Sequence, residues 1–512
     1  MMIPPTEEGD FLKDKSAGLL LHVSSLPSRH GIGDIGGAVE HLLPFLIQTG
    51  QKKWQILPLH PVGYGNSPYQ GLSVYAGNEW LISPDLLNQQ FKIESTLMKH
   101  PPEFDKNLID FHEVEKWKET LFQDAFNQFR REKPPTDFKW FVEQHHHWLA
   151  DYCLFMVIKN KQRDRPWHLW PEKLRNRHQS ALDEISKRYE EELSYRTFLQ
   201  YVFYSQWQKM SRQFRKANID IIGDLPIFVA HDSADVWSHQ KLFQLDHKGE
   251  PTVIAGVPPD YFSATGQRWG NPHYHWKLME ENDFTWWKMR VEHLLNMVDT
   301  VRIDHFRGFE AYWEIPGNEK TAVKGRWVKA PGLKLFRSLE NKLGKLPFIA
   351  EDLGVITPEV VALKKQFGLP GMKILQFSFS PKVIRRERPA HYEKNTYAYT
   401  GTHDNDTLKG WLTTDGFLDE GVRQVLSRYH QIKAINPLED SCKQLIRLLM
   451  RTNAGCVIVP LQDYHFLDGK YRMNYPGTTG GTNWRFRSKA EHYSDETTNQ
   501  WILNEIKSSG RS

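Results

Sequence analysis

Three carboxylates, each closing a short apolar run, are the residues of this chain best suited to chemistry. The first lies in Arg302-Ile303-Asp304-His305-Phe306-Arg307-Gly308. Residues two apart on a strand share a face, so Arg302 is placed to keep the Asp304 carboxyl ionised. An ionised aspartate of this kind suits a nucleophile, although the same pair also reads as an ion pair capping a strand. The second acid, Glu351, stands in Ile349-Ala350-Glu351-Asp352-Leu353-Gly354. A retaining glycosidase uses two carboxyls roughly 5 Å apart, one attacking an anomeric carbon while the other protonates the departing oxygen. Negative charge from Asp304 is expected to raise the pKa of Glu351 and keep it protonated. Asp352 is the rival for that role, but strand alternation turns it away from Glu351's face. The third acid, Asp404, lies in Thr402-His403-Asp404-Asn405. It can grip sugar hydroxyls as an oxocarbenium ion forms, with His403 donating to a hydroxyl of the same ring. The plainer reading of that tetrapeptide is an N-cap for the following helix.

These acids can meet only if the runs that carry them are neighbours in one framework. Eight apolar runs bounded by polar, Gly or Pro residues have the character of buried parallel strands: Gly18 to Val23, Trp54 to Leu59, Ile219 to Val229, Val301 to Phe306, Phe348 to Asp352, Met372 to Phe377, Thr396 to Thr400 and Cys456 to Leu461. Most are followed by a helical pattern, which predicts an α/β fold, a closed (β/α)8 barrel with its chemistry at the C-terminal strand ends. The acids then fall at strands four, five and seven, and unpaired charge there is costly to keep without a use. Residues 60–200 are too many for one crossover helix and read as an inserted subdomain, helical over Phe138 to Tyr204. Residues 230–290 read as a second, loop-rich insertion walling the cleft. With no repeat, low-complexity tract or linker, residues 1–512 read as a single catalytic barrel unit.

Composition narrows the partners. The net charge of +4 is spread over 512 residues without a run of like charges, so nothing points to nucleic acid or a membrane surface, and a neutral substrate fits. Cys153, Cys442 and Cys456 are too far apart for a disulfide framework or a cysteine-based zinc site. Met1 to Ser16 carries Glu7, Glu8, Asp10 and Asp14 and no apolar core, unlike a secretory signal, and no stretch approaches the ~20 apolar residues that cross a bilayer. A cytoplasmic location is expected. Aromatic residues reach 13%, with 18 Trp, several beside Gly, Asn and Pro where pyranose rings can stack, though most are expected in the core. Trp286 and Trp287 read as core before cleft wall. His145-His146-His147 reads as an exposed helical face, because consecutive helical positions point about 100° apart and share one tetrahedral ion poorly. Gly477 to Gly481 lacks the following Lys-Ser or Lys-Thr of a phosphate cradle and reads as a substrate loop. No cofactor or metal is called for.

Further motifs carry a resemblance. They are Ser67-Pro68-Tyr69-Gln70 with Ala76-Gly77-Asn78, Gly223-Asp224-Leu225-Pro226-Ile227-Phe228, Asp232-Ser233-Ala234-Asp235-Val236-Trp237, Ala255-Gly256-Val257-Pro258-Pro259-Asp260-Tyr261-Phe262, Gly270-Asn271-Pro272, Gly371-Met372-Lys373, and Arg472-Met473-Asn474 with Pro476-Gly477-Thr478. In this order, with the three acidic stretches, they resemble the amylomaltase (disproportionating enzyme) family of 4-α-glucanotransferases, within the α-amylase superfamily, from about Gly18 to Trp501. The resemblance implies Asp304 as nucleophile, Glu351 as acid/base and Asp404 as transition-state stabiliser. It places Arg302 and His403 at the ring being cleaved, and Tyr69, Asp224, Trp269, Asn271 and Asn474 along the cleft. Tyr69 also reads as a packed loop aromatic, and Asp224 as a structural strand-end acid. The implied partners are α-1,4-glucans and maltooligosaccharides, as donors and acceptors. Gln244 to Gly256 would be a mobile loop over the cleft, favouring a sugar over water at the glycosyl-enzyme. His60, Asn66, Arg268 and Tyr464 to Tyr471 depart from the family pattern and bear on acceptor preference. A hydrolase or debranching enzyme of the same superfamily, and a non-catalytic glucan-binding barrel, are the rival readings.

Overall fold

The barrel strands form where β-branched and other apolar residues predominate, the pattern of a sheet covered on both faces, with polar residues such as Asp224 and Arg302 set among them. The computed structural model describes residues 12, 14–93, 95–259, 263–432 and 438–512. Met1 to Phe11 of the N-terminal stretch, and Asp260, Tyr261 and Phe262 of the Ala255 motif, lie outside the described residues. Twelve strands are described: β1 Ser16–Leu20, β2 Lys53–Gln55, β3 Asp220–Pro226, β4 Val253–Val257, β5 Gln267–Pro272, β6 Thr300–Asp304, β7 Ala311–Pro316, β8 Arg326–Lys329, β9 Phe348–Ala350, β10 Gly371–Ile374, β11 Thr396–Tyr399 and β12 Cys456–Pro460. Eight pair in the order β10-β11-β12-β1-β2-β3-β6-β9, and every ladder is parallel. They match the eight expected runs, each ending earlier than expected and β1, β2, β6 and β10 beginning one or two residues sooner; the Met372 run leaves the sheet at Ile374 and coils into a 3-10 turn, Leu375–Phe379.

The seam between β9 and β10 closes on two bonds. Ala350 N–H donates to Pro370 O at 2.9 Å, and Met372 N–H donates to Asp352 Oδ1 at 2.7 Å. Lys364 pairs with the same carboxylate. Asp352, the rival acid, thus points away from Glu351 and stitches the barrel shut.

The remaining strands make an antiparallel sheet, β5-β4-β7-β8, that the sequence pattern did not reveal. Between β2 and β3 lie the helices Phe111–Arg131, Thr136–Gln144, His146–Lys161 and Glu190–Lys216, among others. Phe111–Arg131 buries Val114, Trp117, Lys118, Leu121, Phe122, Ala125, Phe126 and Phe129, a stripe at spacings of three and four, and Asp110 caps it through Glu113 N–H at 3.2 Å. Three acids open Glu190–Lys216 and two bases close it, matching the helix dipole. Barrel and helical residues belong to one continuous core. Trp286 and Trp287 are buried in it. The three histidines are not one exposed face: only His146 is exposed, while the His145 ring lies 5.0 Å from that of Tyr204 and the His147 ring 5.6 Å from that of Tyr75. The register of the helix turns those two inward. No helix among the described residues is long and apolar enough to cross a membrane.

Candidate active site

Register sets the centre of the site. Asp224 on β3 stands opposite Arg302 on β6, and Pro226 opposite Asp304. The β6–β9 ladder runs to Ile303 opposite Ala350, and Glu351 N–H donates to Ile303 O at 3.1 Å. Asp304 and Glu351 are therefore the next residues of adjacent parallel strands, whose backbones run about 4.8 Å apart.

Arg302 joins the acids beneath. Its Nη1 donates to both oxygens of Asp224 at 2.9 and 2.8 Å, and its Nη2 lies 3.0 Å from Asp304 Oδ1. Tyr69 Oη donates to Asp224 Oδ2 at 2.8 Å. The Asp224 side chain is wholly buried, that of Arg302 is 5% exposed and that of Asp304 is 30% exposed, so the pair underneath is sealed while Asp304 opens to the mouth. Burial opposes the Arg302 charge, but Asp224 and Asp304 more than offset it and raise the guanidinium pKa further. Burial also raises Asp224, against the pull of Arg302.

Glu351 is held by backbone. His305 N–H donates to its Oε2 at 2.8 Å and Leu353 N–H to its Oε1 at 3.1 Å. His305 reaches that position by taking a left-handed φ of 51°, unusual for a residue with a side chain. The Glu351 pKa is pushed up to about 7, first by burial and then by Asp304, while Arg302 and the Leu353 N–H act in the other direction. The sequence led us to expect the neighbouring charge as the cause; withdrawal from water is the larger one.

Asp404 lies past the end of β11. Its Oδ1 accepts from Asn474 Nδ2 at 2.7 Å and lies 3.5 Å from His403 Nε2. The His403 ring stacks on Tyr69, with centroids 5.1 Å apart and 18° between planes, and Trp484 lies 5.8 Å from Tyr69 and 5.9 Å from His403. Asn405 braces the turn by accepting from Thr402 N–H at 2.8 Å, and the next helix is capped by Thr407, not by Asp404 or Asn405. On β5, the Trp269 ring meets that of His305 edge-on at 5.0 Å, and Asn271 Oδ1 accepts from Gln70 Nε2 at 3.3 Å. Eight of the ten expected site residues are thus linked by direct contacts or strand pairing around one end of the barrel, and Trp269 and Asn271 join them through His305 and Gln70. A small pocket open to solvent lies on the His403 side among His22, Ser25, Asp463, Arg472 and Met473; Asp304 and Glu351 do not line it.

Sequence reasoning missed Trp484 and the two N–H groups on Glu351, and named Arg472 within a motif without giving it a role. A tryptophan beside Gly480, Gly481 and Asn483 was the available signal for the first. Gln244 to Gly256, expected as a mobile loop over the cleft, has its turn tied to neighbouring segments. Asp246 Oδ1 accepts from the N–H groups of Lys248 and Glu250, Gly249 turns at φ 81° against Trp167, and His231 Nε2 donates to Gly249 O at 2.7 Å. The turn is anchored on the helical insertion instead of lying free. Arg268 donates to the carbonyls of Gly317 and Glu319, and His60 is tucked 3.3 Å from Ala76 O, so these departures brace local structure.

A parallel eight-stranded barrel with carboxylates, a guanidinium and stacked aromatic rings at the strands' C-terminal ends has the architecture of a barrel enzyme acting on carbohydrate. The sequence profile described as 4-alpha-glucanotransferase matches residues 21–492. A 4-alpha-glucanotransferase of Thermus thermophilus is 44% identical over 480 residues, covering 92% of this chain and 94% of that protein. The chloroplastic/amyloplastic 4-alpha-glucanotransferase of Solanum tuberosum is 38% identical, over 94% of this chain and 85% of its own length. The amylomaltase of Streptococcus agalactiae in complex with acarbose superposes with a TM-score of 0.92 at 36% identity, covering 97% of this chain and all of that one. The chain belongs to the 4-alpha-glucanotransferase family and is an enzyme of that class.

Proposed function

We propose that this enzyme moves a segment of an α-1,4-glucan to the 4-hydroxyl of an acceptor glucan or glucose by double displacement. Asp304 attacks C1 while Glu351 protonates the departing 4-oxygen; the same glutamate then takes the proton of the incoming 4-hydroxyl as the glycosyl–Asp304 bond breaks. Asp404 and His403 hold ring hydroxyls as charge develops at C1. Arg302 orients Asp304, and Tyr69, Asp224, Trp269, Asn271 and Asn474 shape the cleft. The observation that carries the reading is a buried glutamate, its pKa pushed up to about 7, at the strand end next to an aspartate open to the mouth. No cofactor or metal enters the scheme. The same proposal treats residues 1–512 as one catalytic unit with 60–200 and 230–290 as insertions packed around the barrel, working in the cytoplasm on neutral glucans; the continuous core supports the first part.

Incubation with maltotriose tests the reaction. Transfer gives glucose together with longer oligomers, whereas reducing ends that accumulate without longer products would establish a hydrolase. Asp304→Asn is expected to abolish turnover and leave maltooligosaccharide binding largely intact; an active variant would overturn the mechanism.

A further inference from the structure

Two separate loops build the surroundings of Asp404: the one after β11, which carries His403 and Asp404, and the one after β12, which carries Arg472 and Asn474. One side chain spans both. Arg472 Nη2 donates to the backbone carbonyl of Asp404 at 2.7 Å, and its Nε donates to the backbone carbonyl of Asn474 at 2.9 Å. The guanidinium plane is supported by the Tyr475 ring, with Cζ 4.2 Å from the centroid. Asn474 in turn donates to the Asp404 carboxylate, and its N–H to the His403 carbonyl at 3.1 Å. Without Arg472, the hydrogen bonds that remain between His403-Asp404 and this part of the second loop pass through Asn474, with the Trp484 ring packed beside His403 and Asp463 bridging Thr400 and Leu408 farther along. A planar donor that bonds two carbonyls at once fixes their relative position in a way a lysine, a point charge on a flexible stem, does not.

We propose that Arg472 is a positioning residue that sets where the Asp404 carboxylate sits when positive charge develops at C1. The inference rests on the reading of Asp404 as the transition-state stabiliser. It makes no contact with the sugar necessary, and misplacing a stabilising group by about 1 Å costs on the order of 100-fold in rate.

The test is a cycle of R472A, D404N and the double variant, assayed for disproportionation of maltotriose, with R472K beside them. R472A is expected to lower kcat about 100-fold while KM changes less than about threefold, and to weaken an oxocarbenium-like inhibitor such as acarbose in step with kcat/KM. R472K should recover only part of the loss. The double variant should be no slower than D404N, because Arg472 acts through Asp404; multiplied losses, the mark of a general structural role, would overturn the proposal. So would an unchanged kcat, or a loss in KM alone. If R472A does not fold, R472K carries the same cycle. D404N with near-normal kcat would instead remove the reading of Asp404 itself, and D404N impaired beside an intact R472A would remove only the role of Arg472.

Discussion

Each side chain proposed as catalytic is held by groups of different strength, and this sets what its removal will do. Glu351 accepts two backbone N–H bonds that favour its anion, yet burial and Asp304 win, leaving a pKa of about 7. Because the acid form must protonate the leaving oxygen, kcat/KM for the donor should fall as pH rises through about 7, approaching tenfold per unit above it. A profile flat from pH 6 to about 9 would sink the assignment. Tyr69 serves a sealed acceptor: removing its hydroxyl in Tyr69→Phe leaves Asp224 Oδ2 one donor short in a site without water access. Urea unfolding should show a loss of about 1–3 kcal/mol. The acids and Arg302 were legible from the sequence because strand alternation and local spacing bind them together. Trp484 was not, since its neighbour Tyr69 lies at the other end of the chain and its φ of 65° obeys no local rule.

At the scale of elements, legibility followed burial. The barrel strands were readable because a strand covered on both faces is largely apolar; β1 and β12 have no exposed residue. The small sheet was not: β5 is Gln-Arg-Trp-Gly-Asn-Pro and β8 is Arg-Trp-Val-Lys, sequences that show a turn composition or an exposed edge and no core run. The β9–β10 seam was likewise invisible, because it depends on a side chain standing in for a strand partner. Asp352→Ala removes the acceptor of Met372 N–H and leaves the partly buried Lys364 without its carboxylate. We expect a loss of about 3 kcal/mol, with the Met372 amide exchanging hydrogen much faster than the β1 and β12 amides. Equal protection at all three strands would show that the seam closes without Asp352.

For the whole molecule, the barrel and the helical insertion share one interior, and imidazoles lie at the join. His293, on the helix Thr285–Leu295, has Nε2 2.7 Å from Tyr204 Oη and 3.0 Å from Tyr75 O. His145 packs its ring 5.8 Å from that of His293 and accepts from Trp148 Nε1 at 3.2 Å. Burial lowers His293 to about 3, with His145 adding repulsion, and lowers His145 and His60 to about 4. The unfolded chain, with histidines near 6.5, binds more protons than the folded one, so their neutral burial stabilises fully above about pH 6.5 and this stability is lost as pH falls toward 3 to about 4. Each such imidazole adds up to about 1.4 kcal/mol per pH unit to the slope. Urea unfolding at several pH values between about 7 and 5 should therefore show stability declining with acid, and His145→Gln, which keeps an acceptor for Trp148 but cannot titrate, should flatten the slope by about one proton. Because the core is continuous, tryptophan fluorescence and far-ultraviolet circular dichroism should lose the insertion and the barrel in one transition. An unaltered slope in the variant would show that protonation of this cluster does not drive the acid loss, and two separated transitions would show that the insertion holds its fold without the barrel.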